Sequence, residues 1–176
     1  MKKTLLLTLL ISVNLCSQEF WEIDSNSSFI KYSGNHFLHN WDAQNDEISG
    51  LLNIDNDTIY NIGVIAKVKD FNSGNSSLDS NAMRVVEALK YPNVIFRSSL
   101  IEQNDDRIYL EGILEFHGIK QNLKLEGKIE NAEDQIKINM SFIIRLSDFE
   151  IKRPSLLLRK VEDAISVEIK LNFYPA

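Results

Sequence analysis

The chain has 176 residues, 44% hydrophobic and 25% charged, with 7 glycines and 3 prolines. That composition suits one globular domain and excludes a disordered chain, a linker-divided pair of domains and a solenoid array. A formal charge of −6, with no run of basic residues interleaved with aromatics, argues against nucleic acid as a partner and against electrostatic docking on an anionic membrane.

The first residues read as a secretory signal. Lys2 and Lys3 precede an almost wholly apolar stretch, Thr4 to Val13, and the chain turns polar at Asn14. The apolar stretch is too short to span a bilayer as a helix. Cleavage is expected after Ser17, giving a leader of residues 1–17 and a mature domain of residues 18–176 in the periplasm or outside the cell. It removes Lys2 and Lys3 and no acid, taking the formal charge from −6 to −8. Cys16, the single cysteine, stands where a lipoprotein would carry its lipid, but Leu15 replaces the small residue expected before it. Lipid anchoring is therefore the lesser reading. Without Cys16 the mature chain has no thiol and no disulfide, so core and sheet must hold it together.

Alternation with period two dominates the rest. Its weaker copies come first, at Phe29 to Ser33, Ile48 to Ile54, Ile62 to Lys69 and Val94 to Ile101. One segment interrupts them: Asp79-Ser80-Asn81 before Ala82 to Lys90 reads as a capped helix, with Asp79 or Ser80 as N-cap. Met83, Val86 and Leu89 would share its apolar face, and Pro92 would stop it. From Ile108 to Phe116 the pattern is strong: Ile108, Leu110, Leu114 and Phe116 lie on one face, Glu111 and Glu115 on the other. Leu123 to Ile129 and Ile136 to Phe142 repeat it. In the last strand Ile165, Val167, Ile169, Leu171 and Phe173 point in, while Ser166, Glu168, Lys170 and Asn172 point out. Turn signals at Asn56-Asp57, Asn104-Asp105-Asp106, His117-Gly118 and Glu133-Asp134 join about eight strands by short connections, so the sheet should be antiparallel. Closing such a sheet hides its apolar face and its edges. Periodicity alone does not separate a closed barrel from a two-sheet sandwich.

Several segments resemble the YceI-like family. Trp21-Glu22-Ile23-Asp24 with Ser28, Ile30 and Tyr32 is similar to its N-terminal strand, and Ile48 and Gly50, ahead of Asp55, to its second. Phe71-Asn72-Ser73-Gly74-Asn75, with Asp79 and Met83, resembles the loop and helix start. Lys90-Tyr91-Pro92-Asn93-Val94-Ile95-Phe96 is the most specific match. Leu110, Gly112, Leu114, His117-Gly118-Ile119 and Lys120 resemble a hairpin of the family. Arg145, Ser147-Asp148-Phe149, Val161 and Asp163 resemble its closing segments. The chain departs at Ala43, where the family often has glycine, and at Asn122, where a small or β-branched residue is common. These departures leave open the shape of the cavity mouth. The resemblance implies an all-β fold: an eight-stranded antiparallel lipocalin-like barrel with one short helix covering a mouth. It also implies binding of an isoprenoid lipid or isoprenoid quinone, without catalysis and with no cofactor beyond such a bound molecule.

On that reading Ile62, Val64, Phe96, Leu110, Leu114, Phe116, Leu125, Met140, Phe142 and Ile169 line a dry cavity. A branched apolar chain needs apolar walls and shape, not hydrogen bonds, and each buried CH₂ contributes roughly 0.8 kcal/mol. The competing reading is that these side chains simply pack on one another. Gly112 and Gly127 would leave room in the lumen, or mark bends.

Polar candidates are weaker. His36 and His39 have a spacing a metal could use, but no third ligand is evident. His117 falls at a hairpin turn and is expected to be exposed. No nucleophile elbow frames the Ser, His and Asp residues, and no Gly-rich phosphate loop or dinucleotide fingerprint occurs. Asp105-Asp106 and Asp55/Asp57 read as solvated turn residues. Arg145 could pair with Asp148 or meet a ligand's polar head, and Arg153 and Arg159 lie nearby in sequence; a surface ion pair is the plainer reading. The expectation is a carrier or reservoir for an isoprenoid-type lipid, with a second copy of the chain as a further candidate partner. The alternative is a non-enzymatic stress-response or protein-interaction module with a filled barrel.

Overall fold

The structure, a computed structural model, describes residues 19–36, 39–55, 58–156 and 159–176. The leader assignment and the Asn56-Asp57 turn fall outside them. In chain order the elements are β1 (Glu19–Ile23), β2 (Phe29–His36), β3 (His39–Asn45), β4 (Ile48–Asp55), β5 (Thr58–Lys67), α1 (Ser76–Val85), β6 (Asn93–Asn104), β7 (Arg107–Phe116), β8 (Ile119–Ala132), β9 (Gln135–Arg145), β10 (Ser155–Leu156), β11 (Arg159–Lys160) and β12 (Ala164–Pro175). Short 3-10 turns follow β5 and β9, at Val68–Asp70 and Leu146–Phe149.

The wall is a closed antiparallel barrel. β9 pairs with one edge of β12 from Arg145↔Ala164 to Ile136↔Phe173. Along the other edge β1 and β2 lie end to end, with Trp21↔Pro175 and Ser33↔Ser166. β4 and β3 lie end to end beside them. Each broken strand counts once, so the ring β1/β2, β3/β4, β5, β6, β7, β8, β9, β12 has eight staves and closes on itself.

The two breaks explain why β1 and β3 escape the alternation. Between β1 and β2 the Asp24 carboxylate accepts from the Ser27 hydroxyl at 2.6 Å and the Asn26 amide at 3.1 Å. The Ser27 contact holds that carboxyl below its usual range. Ser28 then tucks under β12, where its hydroxyl accepts from the Asn172 amide at 2.9 Å. Between β3 and β4 a wholly buried Asn45 donates to Lys67 O at 3.1 Å and accepts from the Glu47 amide at 2.8 Å. Polar side chains sit where the pattern expects apolar ones.

The helix lies earlier than the sequence suggests. Its N-cap is Asn75, whose side chain accepts from the Ser77 and Leu78 amides. It also ends earlier, before Pro92 has any say. Glu87 takes the left-handed φ of 48°, the Glu87 amide donates to Arg84 O, and the Ala88 amide donates to Met83 O. That is a Schellman stop with Glu in the place usually held by Gly. Leu89 consequently leaves the helix's inner face and is fully exposed, while Met83 and Val86 face the barrel.

The interior has two unlike halves. At the end carrying the β6–β7 and β8–β9 turns, Trp21, Leu52, Ile59, Ile108 and Phe173 are packed to between 0 and 5% exposure. At the other end α1 and the segment after β9 close the barrel, with Phe149 and Ile151 buried against Leu114.

Candidate functional site

Beneath α1 the barrel holds a cavity of about 490 Å³, within the ~300–1,000 Å³ typical of small-molecule sites. All ten of the expected lining residues border it. They come from β5 (Ile62, Val64), β6 (Phe96), β7 (Leu110, Leu114, Phe116), β8 (Leu125), β9 (Met140, Phe142) and β12 (Ile169). Each is an inward position of an alternating strand, so one rule of backbone geometry puts them together.

Other wall residues carry no such signal. Trp41 borders the cavity from β3, and its ring occupies the space a Cβ on the facing Gly34 would need. Phe71 comes from the loop before α1, and Leu78, Met83 and Val86 come from α1 itself.

The expectation that Gly112 and Gly127 open the lumen needs correction. A Cβ on Gly112 would collide with the Phe96 ring, and one on Gly127 with the Met140 side chain. Each glycine admits a large neighbour that itself borders the cavity.

Polar groups gather at the helix end. Tyr32, Ser73, Asp79, Asn81, Arg84 and Ser155 border the cavity there. Asp79 Oδ1 accepts from the Ser73 amide at 3.0 Å and from its hydroxyl at 2.6 Å, which ties α1 to the preceding loop. Arg84 Nη2 donates to Asn81 Oδ1 at 2.9 Å. The Tyr32 ring leans on Phe71 with centroids 5.4 Å apart. Burial, and secondarily the Asp79 charge, pushes the Tyr32 hydroxyl up to about 12. At neutral pH it is an un-ionised donor beside apolar walls.

The remaining candidates are structural. His117 and Gly118 both have left-handed φ, 53° and 74°, which makes the β7–β8 connection a type I′ turn. The His117 side chain is not exposed as expected. Its Nδ1 lies 2.8 Å from Phe149 O, its ring meets Tyr91 edge-on at 4.8 Å, and its Nε2 is 3.8 Å from Glu87 Oε2. It therefore clamps the segment that seals the helix end. His36 and His39 are register partners across the β2–β3 hairpin, with side chains outside the description. Among the described residues no group of three or more His, Cys, Asp or Glu gathers as a metal site.

Arg145 does not reach the cavity. It is exposed and bears on Asp163, not on Asp148. The Asp163 carboxylate accepts from the Ser147 amide at 3.0 Å and its hydroxyl at 2.6 Å, and stands 3.6 Å from Arg153 Nε. The Ser147 hydroxyl is the main reason its carboxyl is held below the usual range.

Similarity to known proteins agrees with this geometry. The most similar folds include BcnA of Burkholderia cenocepacia, with a TM-score of 0.76, 15% identity and coverage of 85% of this chain and 98% of that one. A polyisoprenoid binding domain from Saccharophagus degradans, implicated in plant cell wall breakdown, has a TM-score of 0.75, 13% identity and coverage of 91% and 100%. The YCEI protein of Campylobacter jejuni has a TM-score of 0.63, 15% identity and coverage of 99% and 93%. At such identities these likenesses show the fold alone. No curated protein matches in sequence. The sequence pattern of the YceI-like domain matches residues 21–173, nearly the whole barrel, and the chain belongs to the YceI-like family.

Proposed function

We propose that this chain is a non-enzymatic carrier or reservoir. It takes an isoprenoid lipid or isoprenoid quinone into the cavity by burying the tail, and it acts in the periplasm or outside the cell after loss of residues 1–17. The observation that carries this reading is the division of the cavity wall. Alternating strands supply apolar side chains around the lumen, while the polar atoms collect beside α1. A molecule with a long apolar tail and one oxygen-bearing head fits that division. The tail gains roughly 0.8 kcal/mol per buried CH₂, and the Tyr32 hydroxyl offers a hydrogen to the head. The family and the similarity to a polyisoprenoid binding domain support the choice of tail. Lys2, Lys3 and the apolar run to Val13 support export.

The absence of catalysis is likewise part of the proposal. Asp79 and Arg84 are each engaged by a neighbour on the loop or helix they belong to. That arrangement anchors α1 and does not present a nucleophile to a base. The filled-barrel alternative fits only the half of the interior around Phe173.

The test is mass spectrometry of organic extracts from the mature protein purified from its native compartment, beside an unrelated protein from the same source. A stoichiometric isoprenoid lipid or quinone is expected. An empty extract, with no uptake of added polyprenol or quinone, would sink the carrier reading in favour of an interaction module.

A further inference from the structure

The barrel wall has a break in its strand pairing beside the cavity. β8 and β9 pair only from Ala132↔Gln135 to Gly127↔Met140. Beyond that point β8 continues toward Ile119 paired with β7 alone, and β9 continues to Arg145 paired with β12 alone. The inward residues on the two lips, Leu123 and Leu125 on β8 and Phe142 and Ile144 on β9, all border the cavity. The gap is bounded below by the Gly127↔Met140 pair. Above, the 3-10 turn after β9 crosses to β8: Gln121 Nε2 donates to Asp148 O at 2.6 Å, and the buried Phe149 ring lies 5.4 Å from that of Phe116. The window runs over Leu123–Glu126 and Ser141–Ile144, about four residues a side, or roughly 13 Å.

Two further observations set this gap apart. A depression on the outer surface at its foot, lined by Glu126, Lys128, Asn139 and Ser141, shares Met140 and Ile169 with the inner cavity. The β5–β6 pairing also stops short, at Gly63↔Arg97. There Ser98 Oγ accepts from the Ile62 amide at 2.8 Å, and buried Ile59 and Ile108 pack the space behind. Of these two gaps, one is plugged and the other faces the lumen.

We propose that the β8–β9 window is a side exit for the ligand's tail, so that the protein accepts chains longer than its cavity. The inference rests on the carrier reading and adds where the surplus of a long tail would go. A cavity of about 490 Å³ suits a drug-sized molecule, and a long polyprenyl chain outgrows it. With the head beside Tyr32, the surplus chain leaves between Leu125 and Phe142 and lies along the outer strands near Ile143, an exposed apolar side chain on the lip at 67%.

The experiment uses the delipidated full chain carrying Cys16→Ser and one of two reporters. Ile143→Cys marks the window and Leu89→Cys marks the helix end; both sites are exposed, so each variant should fold. Each is labelled with an environment-sensitive fluorophore and titrated with farnesol, geranylgeraniol and undecaprenol, with binding followed independently by native mass spectrometry. The expected result is that undecaprenol binds at least as tightly as geranylgeraniol. It should shift the label at position 143 and leave that at 89 unchanged, while farnesol shifts neither. Undecaprenol binding weakened by roughly tenfold or more relative to geranylgeraniol, or a shift at position 89 in place of 143, would overturn the window. If no chain of any length binds, the carrier reading falls as well, and the short alcohols tell the two failures apart.

Discussion

The two halves of this barrel are built from the same strands and by the same alternation, yet one is solid and the other hollow. Around Phe173 the inward side chains of opposite strands meet, and exposure falls to zero at Leu52, Ile108 and Phe173. Toward α1 the strands still point apolar residues inward, but Phe96, Phe116, Phe142 and Ile169 stay only half-buried because they border open volume. An apolar inward face is therefore necessary for both a core and a binding site. What separates them is whether the facing wall comes within contact distance.

Paired substitutions break or sharpen that contrast. The largest effect should come from Phe173→Ala, which leaves a void in the solid half and should cost about 3–5 kcal/mol. Phe142→Ala in the hollow half should cost clearly less in the ligand-free protein. Urea unfolding of both variants measures this; equal losses would mean the halves are energetically alike.

Overpacking should show the opposite tolerance. Ile108→Phe, at a wholly buried site away from the cavity, should lose about 1–3 kcal/mol. Val64→Phe, which borders the cavity, should stay nearly as stable as the parent and lose lipid uptake. Thermal unfolding together with native mass spectrometry after loading checks both parts.

The glycines give a smaller version of the contrast. Gly112→Ala should destabilise by roughly 1–3 kcal/mol, since its Cβ meets both the Phe96 ring and Arg97 O. Gly63→Ala, with nothing within 4 Å of the new methyl, should change stability by less than about 0.5 kcal/mol. Chemical denaturation of the pair resolves the difference.

The smallest effect is expected at Tyr32. Removing its hydroxyl with Tyr32→Phe should weaken an oxygen-headed ligand by about 0.5–1.5 kcal/mol and leave a pure hydrocarbon such as squalene unaffected. The same variant tests a pH effect. The folded protein holds this hydroxyl protonated to about 12, above the ordinary 10.0. Its contribution to stability is complete below pH 10 and is lost as pH rises toward 12. Tyr32→Phe should flatten that part of the alkaline stability profile.

Much of this was legible in the sequence where a single physical rule applied. Strands with an uninterrupted alternation, such as β7 and β12, declare both their existence and their inward residues, and all ten expected wall positions reach the cavity for that reason. The helix was legible as a helix. Its frame was not, because Asn75, Asp79 and Ser80 are all good caps and only the contact to the Ser77 and Leu78 amides selects the first. β1 and β3 were hidden by breaks built from Asp24, Ser28 and Asn45, side chains that satisfy backbone groups in the interior. The polar rim of the cavity depends on contacts between distant segments, Tyr32 beside Phe71 and Asp79, and no local pattern encodes those. His117 looked like a solvated turn residue because turns generally are; its burial comes from Phe149, which follows it by 32 positions.

The closure of the ring by Trp21↔Pro175 also has a kinetic side. The first and last staves are neighbours in space and nearly the full described length apart along the chain. A polypeptide leaving a ribosome, or threading a pore with its N-terminus leading, cannot complete the barrel until its final strand is free. Until then Trp21 and Ile23 have no partner on β12, and the slow, long-range pairing waits. Such a chain stays unlocked until its last strand is available, and the barrel closes only then.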